Sequence, residues 1–154
     1  MIETKDEVQP IEVVRVTEAD RMLENFGGDA KALLAFEMAI YDVAGRITRG
    51  KYGGGSWKLK YLSNHGFFMA YTGSDTFTVF NDGAQCEVEC SGDLFSLIVN
   101  VYACSILSFN FNDKGYSEAS LVVAGNYYRL RDYVYHDHSV YTEAEQRAFY
   151  KALD

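Results

Sequence analysis

The run GGGSWKLKYLSNHGFFMAY, residues 53–71, decides how this chain is read. Trp57, Leu59 and Tyr61 alternate with Lys58 and Lys60, and Phe67, Met69 and Tyr71 alternate with Phe68 and Ala70, which is the two-residue period of β-strands. Between them, Ser63-Asn64-His65-Gly66 has the composition of a tight turn, because Asn and Gly tolerate positive φ. The stretch therefore predicts a β-hairpin. Its glycines do not make a phosphate loop: that chemistry needs Gly-x-x-x-x-Gly-Lys-Ser/Thr opening a helix, whereas KYGGGSW runs into a strand. A structural entry to the sheet, where Trp57 packs, is the simpler reading.

The same design recurs downstream. TFTVF and QCEVEC flank Asn81-Asp82-Gly83-Ala84, whose Asp-Gly step signals a turn. Alternation sends Cys86, Val88 and Cys90 to one face and Glu87 and Glu89 to the other. Four sequential strands with short turns predict an antiparallel meander.

Helices are predicted on both sides of it. Thr17 is placed to cap a short helix, EADRMLENF, with Glu18 and Asp20 in its first turn and Gly27 and Gly28 ending it. Asp29 caps a helix over 29–47, in which Leu33, Phe36, Ile40, Val43 and Ile47 recur at helical spacing. Ser91 caps an apolar helix over 92–109, and NFNDKG after it reads as a loop. Ser117 begins a helix to about 135, where Gly125 hints at close packing. Thr142 and Glu145 have the spacing of a capping box for a last helix. The fold class is α+β, one domain with a four-stranded antiparallel meander flanked by about five helices. Residues 1–16 form an N-terminal arm or edge strand, and 17–154 the domain.

Composition bounds the function. A chain of 154 residues, 48% hydrophobic, suits one domain with a real core, much of it aromatic given 12 Tyr and 10 Phe. A net charge of −8 argues against a nucleic-acid surface, which relies on clustered Lys and Arg. It favours solubility or a basic partner. The charged start lacks the apolar region of a signal peptide, and 94–109 falls short of the roughly 20 residues a bilayer needs. The expected location is the cytoplasm, with no membrane contact. Cys86, Cys90 and Cys104 form an odd set without a CxxC pair, so reduced thiols are expected in place of a disulfide framework or zinc site.

Chemistry-bearing residues are few. His65 on its turn could act as a general base, but no Ser or Cys is paired with it by a recognisable motif. His136 and His138 could meet one metal if extended, while on a helix they would point nearly opposite ways. Arg131 and Asp132 are adjacent in sequence, and adjacent helical residues do not face one another. A small His-dependent hydrolase or metal-binding enzyme is therefore the alternative function. No catalytic residue, metal ligand or cofactor is assigned.

Read from Tyr52, the opening stretch resembles the hallmark of the ArdB/KlcA antirestriction family, Tyr-x-Gly-Gly-x-Trp leading into Leu-Ser-Asn-x-Gly-Phe-x-Met-Ala. Here these are Tyr52, Gly54, Gly55, Trp57, Leu62, Ser63, Asn64, Gly66, Phe67, Met69 and Ala70. Looser similarity covers Phe26-Gly27 and the tail, at Leu130-Arg131-Asp132, His138 and Phe149 to Asp154. Three positions depart from the family: His65 stands for Gly, Phe68 for Tyr, and Tyr71 for Pro. A proline would end the second strand through its missing donor, so Tyr71 implies a longer hairpin. The resemblance implies a globular, non-enzymatic protein of plasmids, phages or genomic islands that protects incoming DNA from host type I restriction-modification enzymes. The expected partner is that complex or an associated host protein. The expected contact surface comprises Ser63, Asn64, His65 and Gly66, with Arg131, Asp132 and Asp154.

Overall fold

The computed structural model describes residues 9–154. Strand β1 (Val13–Glu18) leads through a 3-10 helix (Ala19–Phe26) into helix α1 (Ala30–Ile47). Strands β2 (Trp57–Leu62), β3 (Phe67–Tyr71), β4 (Thr76–Asn81) and β5 (Cys86–Ser91) follow. Helices α2 (Gly92–Asp113), α3 (Ser117–Tyr135) and α4 (Glu143–Leu153) complete the chain.

Local signals act as their chemistry requires. Asp29 accepts from the backbone N–H of Lys31 and Ala32 at 3.0 and 3.2 Å, and Ser91 accepts from Leu94 N–H. Thr142 and Glu145 form a reciprocal capping box. Helix α1 buries Phe36, Ile40, Val43 and Ile47. Gly27, at φ 61°, closes the 3-10 segment in the left-handed conformation that glycine adopts at low cost. Thr17 does not cap that segment: it lies in β1 opposite Leu59, and the strand runs straight into the turn.

The four-stranded meander does not form. Strands β1, β2 and β3 make one antiparallel sheet, and β4 and β5 make a separate hairpin. The outer edge of β3 is occupied by side chains where β4 would otherwise pair. Asn126 of α3 accepts from Phe67 N–H and donates to Phe67 C=O, both at 2.8 Å. Asn100 of α2 does the same for Met69, at 2.9 and 2.8 Å, and the Ser96 hydroxyl accepts from Tyr71 N–H at 2.8 Å. These three residues are fully buried and stand in for a missing strand, satisfying backbone groups that burial would otherwise leave unpaired. Tyr71 ends β3 with a donated N–H that proline would lack.

Strand β1 crosses the residue 16/17 boundary suggested by the sequence; of the arm expected over 1–16, residues 1–8 lie outside the described residues. Helix α2 continues to Asp113, through much of the expected loop. At 22 residues it is long and apolar enough to cross a membrane, yet here it is the central core helix. Two of the polar residues in its apolar stretch, Ser96 and Asn100, are the ones that hold β3. Gly125 marks no close packing, since an added Cβ would meet only the Arg129 guanidinium, at 3.4 Å.

Aromatic packing ties the hairpin to the sheet. Phe95, on the first turn of α2, stacks on Phe77 of β4 at 4.1 Å and approaches Tyr52 and Trp57 at 6.3 and 6.2 Å. Trp57 donates its indole N–H to the Tyr52 hydroxyl at 2.7 Å.

Candidate functional site

The hallmark turn is bound on two sides. Ser63 exchanges hydrogen bonds with Glu12, donating its N–H to the Glu12 carbonyl and accepting the Glu12 N–H on Oγ. Asn64 donates to the carbonyl of Arg129 on α3 at 3.0 Å and accepts from Gly66 N–H at 2.9 Å. A Cβ on Gly66 would lie 3.2 Å from that of Arg129, so glycine lets the turn and α3 approach. Gly66 is buried and Asn64 half-buried, which gives both a structural task. His65 is exposed at the apex with φ 71°, a left-handed conformation that favours the glycine usual in the family.

The glycine-rich entry is tighter than its composition suggests. A Cβ at Gly55 or Gly73 would come within 2.5 Å of the Tyr71 ring, and one at Gly92 within 3.2 Å. The Tyr71 hydroxyl donates to Asp75 at 2.5 Å, and this bond is the main cause of its raised pKa. Beside it lies an open groove of about 780 Å³ lined by Lys51, Gly53, Gly54, Tyr71, Asp75 and Glu87 among others, without His or Cys in its walls.

Arg131 and Asp132 separate on α3. Asp132 is exposed one turn beyond Arg129, on the side where the Ser63–Gly66 turn docks. Arg131 points elsewhere, toward Tyr127 and Tyr135, with its guanidinium carbon 5.5 and 5.7 Å from their ring centres. It donates to the Tyr127 hydroxyl at 3.3 Å and pairs with Asp154 at 3.8 Å. Burial raises the Tyr135 hydroxyl's pKa, with Arg131 opposing the shift.

Asp154 reaches Arg131 because the end of α4 is anchored. Asn81 and Cys86 donate to the Lys151 carbonyl, and Tyr102 donates to that of Ala152. The seven expected residues thus fall on two sides of α3: the turn of Ser63, Asn64, His65 and Gly66, with Asp132 one helical turn beyond the Arg129 that meets it, and Arg131 with Asp154 and the two tyrosines. Arg129 and the tyrosine frame were not identified from sequence, because no local pattern says which face of α3 meets the turn.

His136 accepts from the N–H of His138 on Nδ1, with the rings 5.7 Å apart. Among the described residues no group of three or more His, Cys, Asp or Glu is placed to hold a metal ion. Burial is the first cause that pushes the Cys90 and Cys104 thiols up to about 12. Two consequences follow for the cysteines. A thiol reagent at neutral pH should modify only Cys86 in the native protein and all three in urea, read by mass spectrometry; rapid native labelling of Cys104 would contradict its burial. Between pH 9 and about 12 the unfolded chain loses these protons while the folded chain keeps them. Stability should therefore fall as pH rises through that window, by at most about 1.4 kcal/mol per pH unit for each thiol.

Comparison with known proteins agrees with this architecture. The family model described as "Antirestriction protein" matches residues 50–154. The chain is 29% identical over 148 residues to antirestriction protein KlcA of Escherichia coli, covering 94% of each chain. A solved structure from the KlcA and ArdB proteins superposes with a TM-score of 0.75 at 24% identity, covering 98% of this chain and 100% of that one. That likeness places the α+β fold with its two small sheets. With the family model spanning strands β2 to β5, helices α2, α3 and α4 and the C-terminal anchor, the chain belongs to the antirestriction protein family.

Proposed function

We propose that this protein protects incoming plasmid or phage DNA from host type I restriction-modification enzymes, acting in the cytoplasm by protein contact or an indirect route and without catalysis. The family match over residues 50–154 carries this reading. The structurally similar KlcA and ArdB proteins show antirestriction activity against type I systems in vivo but not in vitro, which favours an indirect route over direct inhibition of the enzyme.

Charge supports a protein partner over DNA and over imitation of a duplex. At net charge −8 the chain repels phosphates. Several of its acids are neutralised in place: Glu18 by Lys58, Glu24 by Arg15, Asp82 by Arg49 and Glu143 by Arg147. Among the described residues these acids are interleaved with bases, unlike the regular array of a phosphate backbone. The contact residues in this reading are Ser63, Asn64, His65 and Gly66 with Asp132 on one side of α3, and Arg131 and Asp154 on another. Tyrosine and arginine are the side chains that most often anchor protein interfaces.

A plating assay tests the proposal. Unmodified phage should form more plaques on a type I restricting strain that expresses this protein than on the same strain without it. Equal plating with folded protein present would refute it. Arg131→Ala and His65→Ala variants that fold normally should lower the protection if the two patches are contact surfaces, and unchanged protection by both would remove them from that role.

A further inference from the structure

Helix α1 is apolar on two opposite sides. One side is the core stripe of Phe36, Ile40, Val43 and Ile47. The other carries Leu34, Met38 and Tyr41 at positions i, i+4 and i+7, exposed by 57, 62 and 44%. That spacing is the seam of a helix that packs against another helix. A groove of about 570 Å³ runs beside the stripe, between α1 and the C-terminal part of α2, floored by Ala35, Ala39, Ile106 and Phe111. Among the described residues nothing fills it.

We infer that the occupant is the same helix of a second copy, arranged antiparallel about a two-fold axis. The charges on α1 carry this choice. Lys31 and Asp42 border the groove at opposite ends. They lie equally far from the midpoint between residues 36 and 37. A two-fold axis there places Lys31 of each copy opposite Asp42 of the other, forming the same ion pair twice. Helical geometry then sets Ala35 of one copy against Met38 of the other, a small residue against a large flexible one, and Leu34 beside Tyr41. The face is thus complementary to itself in charge and in size, as a closed two-fold interface requires. Two other cations stand near: Lys114 also borders the groove from the end of α2, and Arg46 meets Asp42 at 3.6 Å with both side chains mostly exposed, so the carboxylate remains open to a second cation. An unrelated partner helix would have no reason to find Lys31 and Asp42 spaced symmetrically about the apolar centre.

The experiment is sedimentation velocity on the full chain over a wide concentration range, with charge-reversal variants. Wild type should show a monomer–dimer equilibrium. Lys31→Asp alone, and Asp42→Lys alone, turn two attractions into two repulsions and should weaken dimerisation roughly ten- to thirty-fold each. The double variant exchanges the two charges and should return dimerisation to near the wild-type value. Met38→Asp, at an exposed position that leaves the core untouched, should give monomer with unchanged circular dichroism. A wild type that stays monomeric at the highest concentration overturns the inference, as does a dimer that ignores all of these variants. Failure of the double variant to recover would likewise exclude the antiparallel arrangement. None of these outcomes bears on the plating assay, so the dimer and the antirestriction reading stand or fall separately.

Discussion

Asn100→Leu is expected to destabilise the fold by about 3–5 kcal/mol, a large part of the roughly 5–15 kcal/mol that holds a domain of this size. The two side chains share the same branched shape, so the main change is lost hydrogen bonding, to which the larger methyls add crowding at contacts now 2.7–2.9 Å long. Asn100 is fully buried, accepts from Met69 N–H at 2.9 Å, and donates to the Met69 and Ser96 carbonyls at 2.8 and 2.7 Å. Leucine would leave both backbone groups of Met69 without a partner where water cannot reach, and each orphaned group costs about 1–3 kcal/mol. Urea unfolding followed by circular dichroism measures the loss. A change below about 1 kcal/mol would mean that the edge of β3 finds other partners, and the account of why β4 stays away from it would fail.

Asn100→Asp gives the same argument a sign in pH. The new carboxylate can still accept from Met69 N–H, but it would face the oxygens of Met69 and Ser96, where the amide now donates. Burial and those oxygens favour its protonated form, so its pKa in the folded state rises above the unfolded value near 3.9. The folded state then binds the proton more tightly than the unfolded one. Stability of this variant should therefore fall as pH rises from about 4 toward 7, relative to wild type.

Phe95→Ala is expected to cost about 3–5 kcal/mol for a different reason. Phe95 is fully buried and stacks on Phe77 with the ring planes 24° apart, while its edges approach Tyr52 and Trp57. Removing the ring opens a cavity where the β4–β5 hairpin meets the sheet, and stiff aromatic neighbours cannot collapse into it. Trp57 is the only tryptophan and is buried, so its emission should shift to the red as the pocket admits water. Leu121→Ala, at a leucine 74% exposed on α3, serves as the control and should stay within about 0.5 kcal/mol of wild type. Equal effects from the two would show that the aromatic cluster does not organise the core.

These residues show where reading the chain ran short. Ser96 and Asn100 were visible as polar interruptions of an apolar helix, and nothing nearby in sequence said that they serve a strand. Their partners, Tyr71 and Met69, lie 25 and 31 residues away, and Asn126 reaches Phe67 across 59. The expected meander paired β3 with β4 because sequential strands usually do. The edge was instead taken by side chains from helices that come later in the chain. The candidate site divided in the same way: Arg131 and Asp132 are neighbours in sequence, yet one meets Asp154 and the other lies on the side that carries the hallmark turn.

By itself the sequence determined what depends on near neighbours: the hairpin turn at Ser63–Gly66, the caps at Asp29, Ser91 and Thr142, the alternation in each strand, and kinship through the run after Tyr52. Tertiary structure alone decided which strand edges pair, which polar groups fill the edge of β3, and which apolar face of α1 is left outward. The reason is physical. Periodicity and capping are satisfied within a few residues, whereas a strand edge or a helix face can be satisfied by any suitable group the folded chain brings to it, and only the assembled core makes that choice.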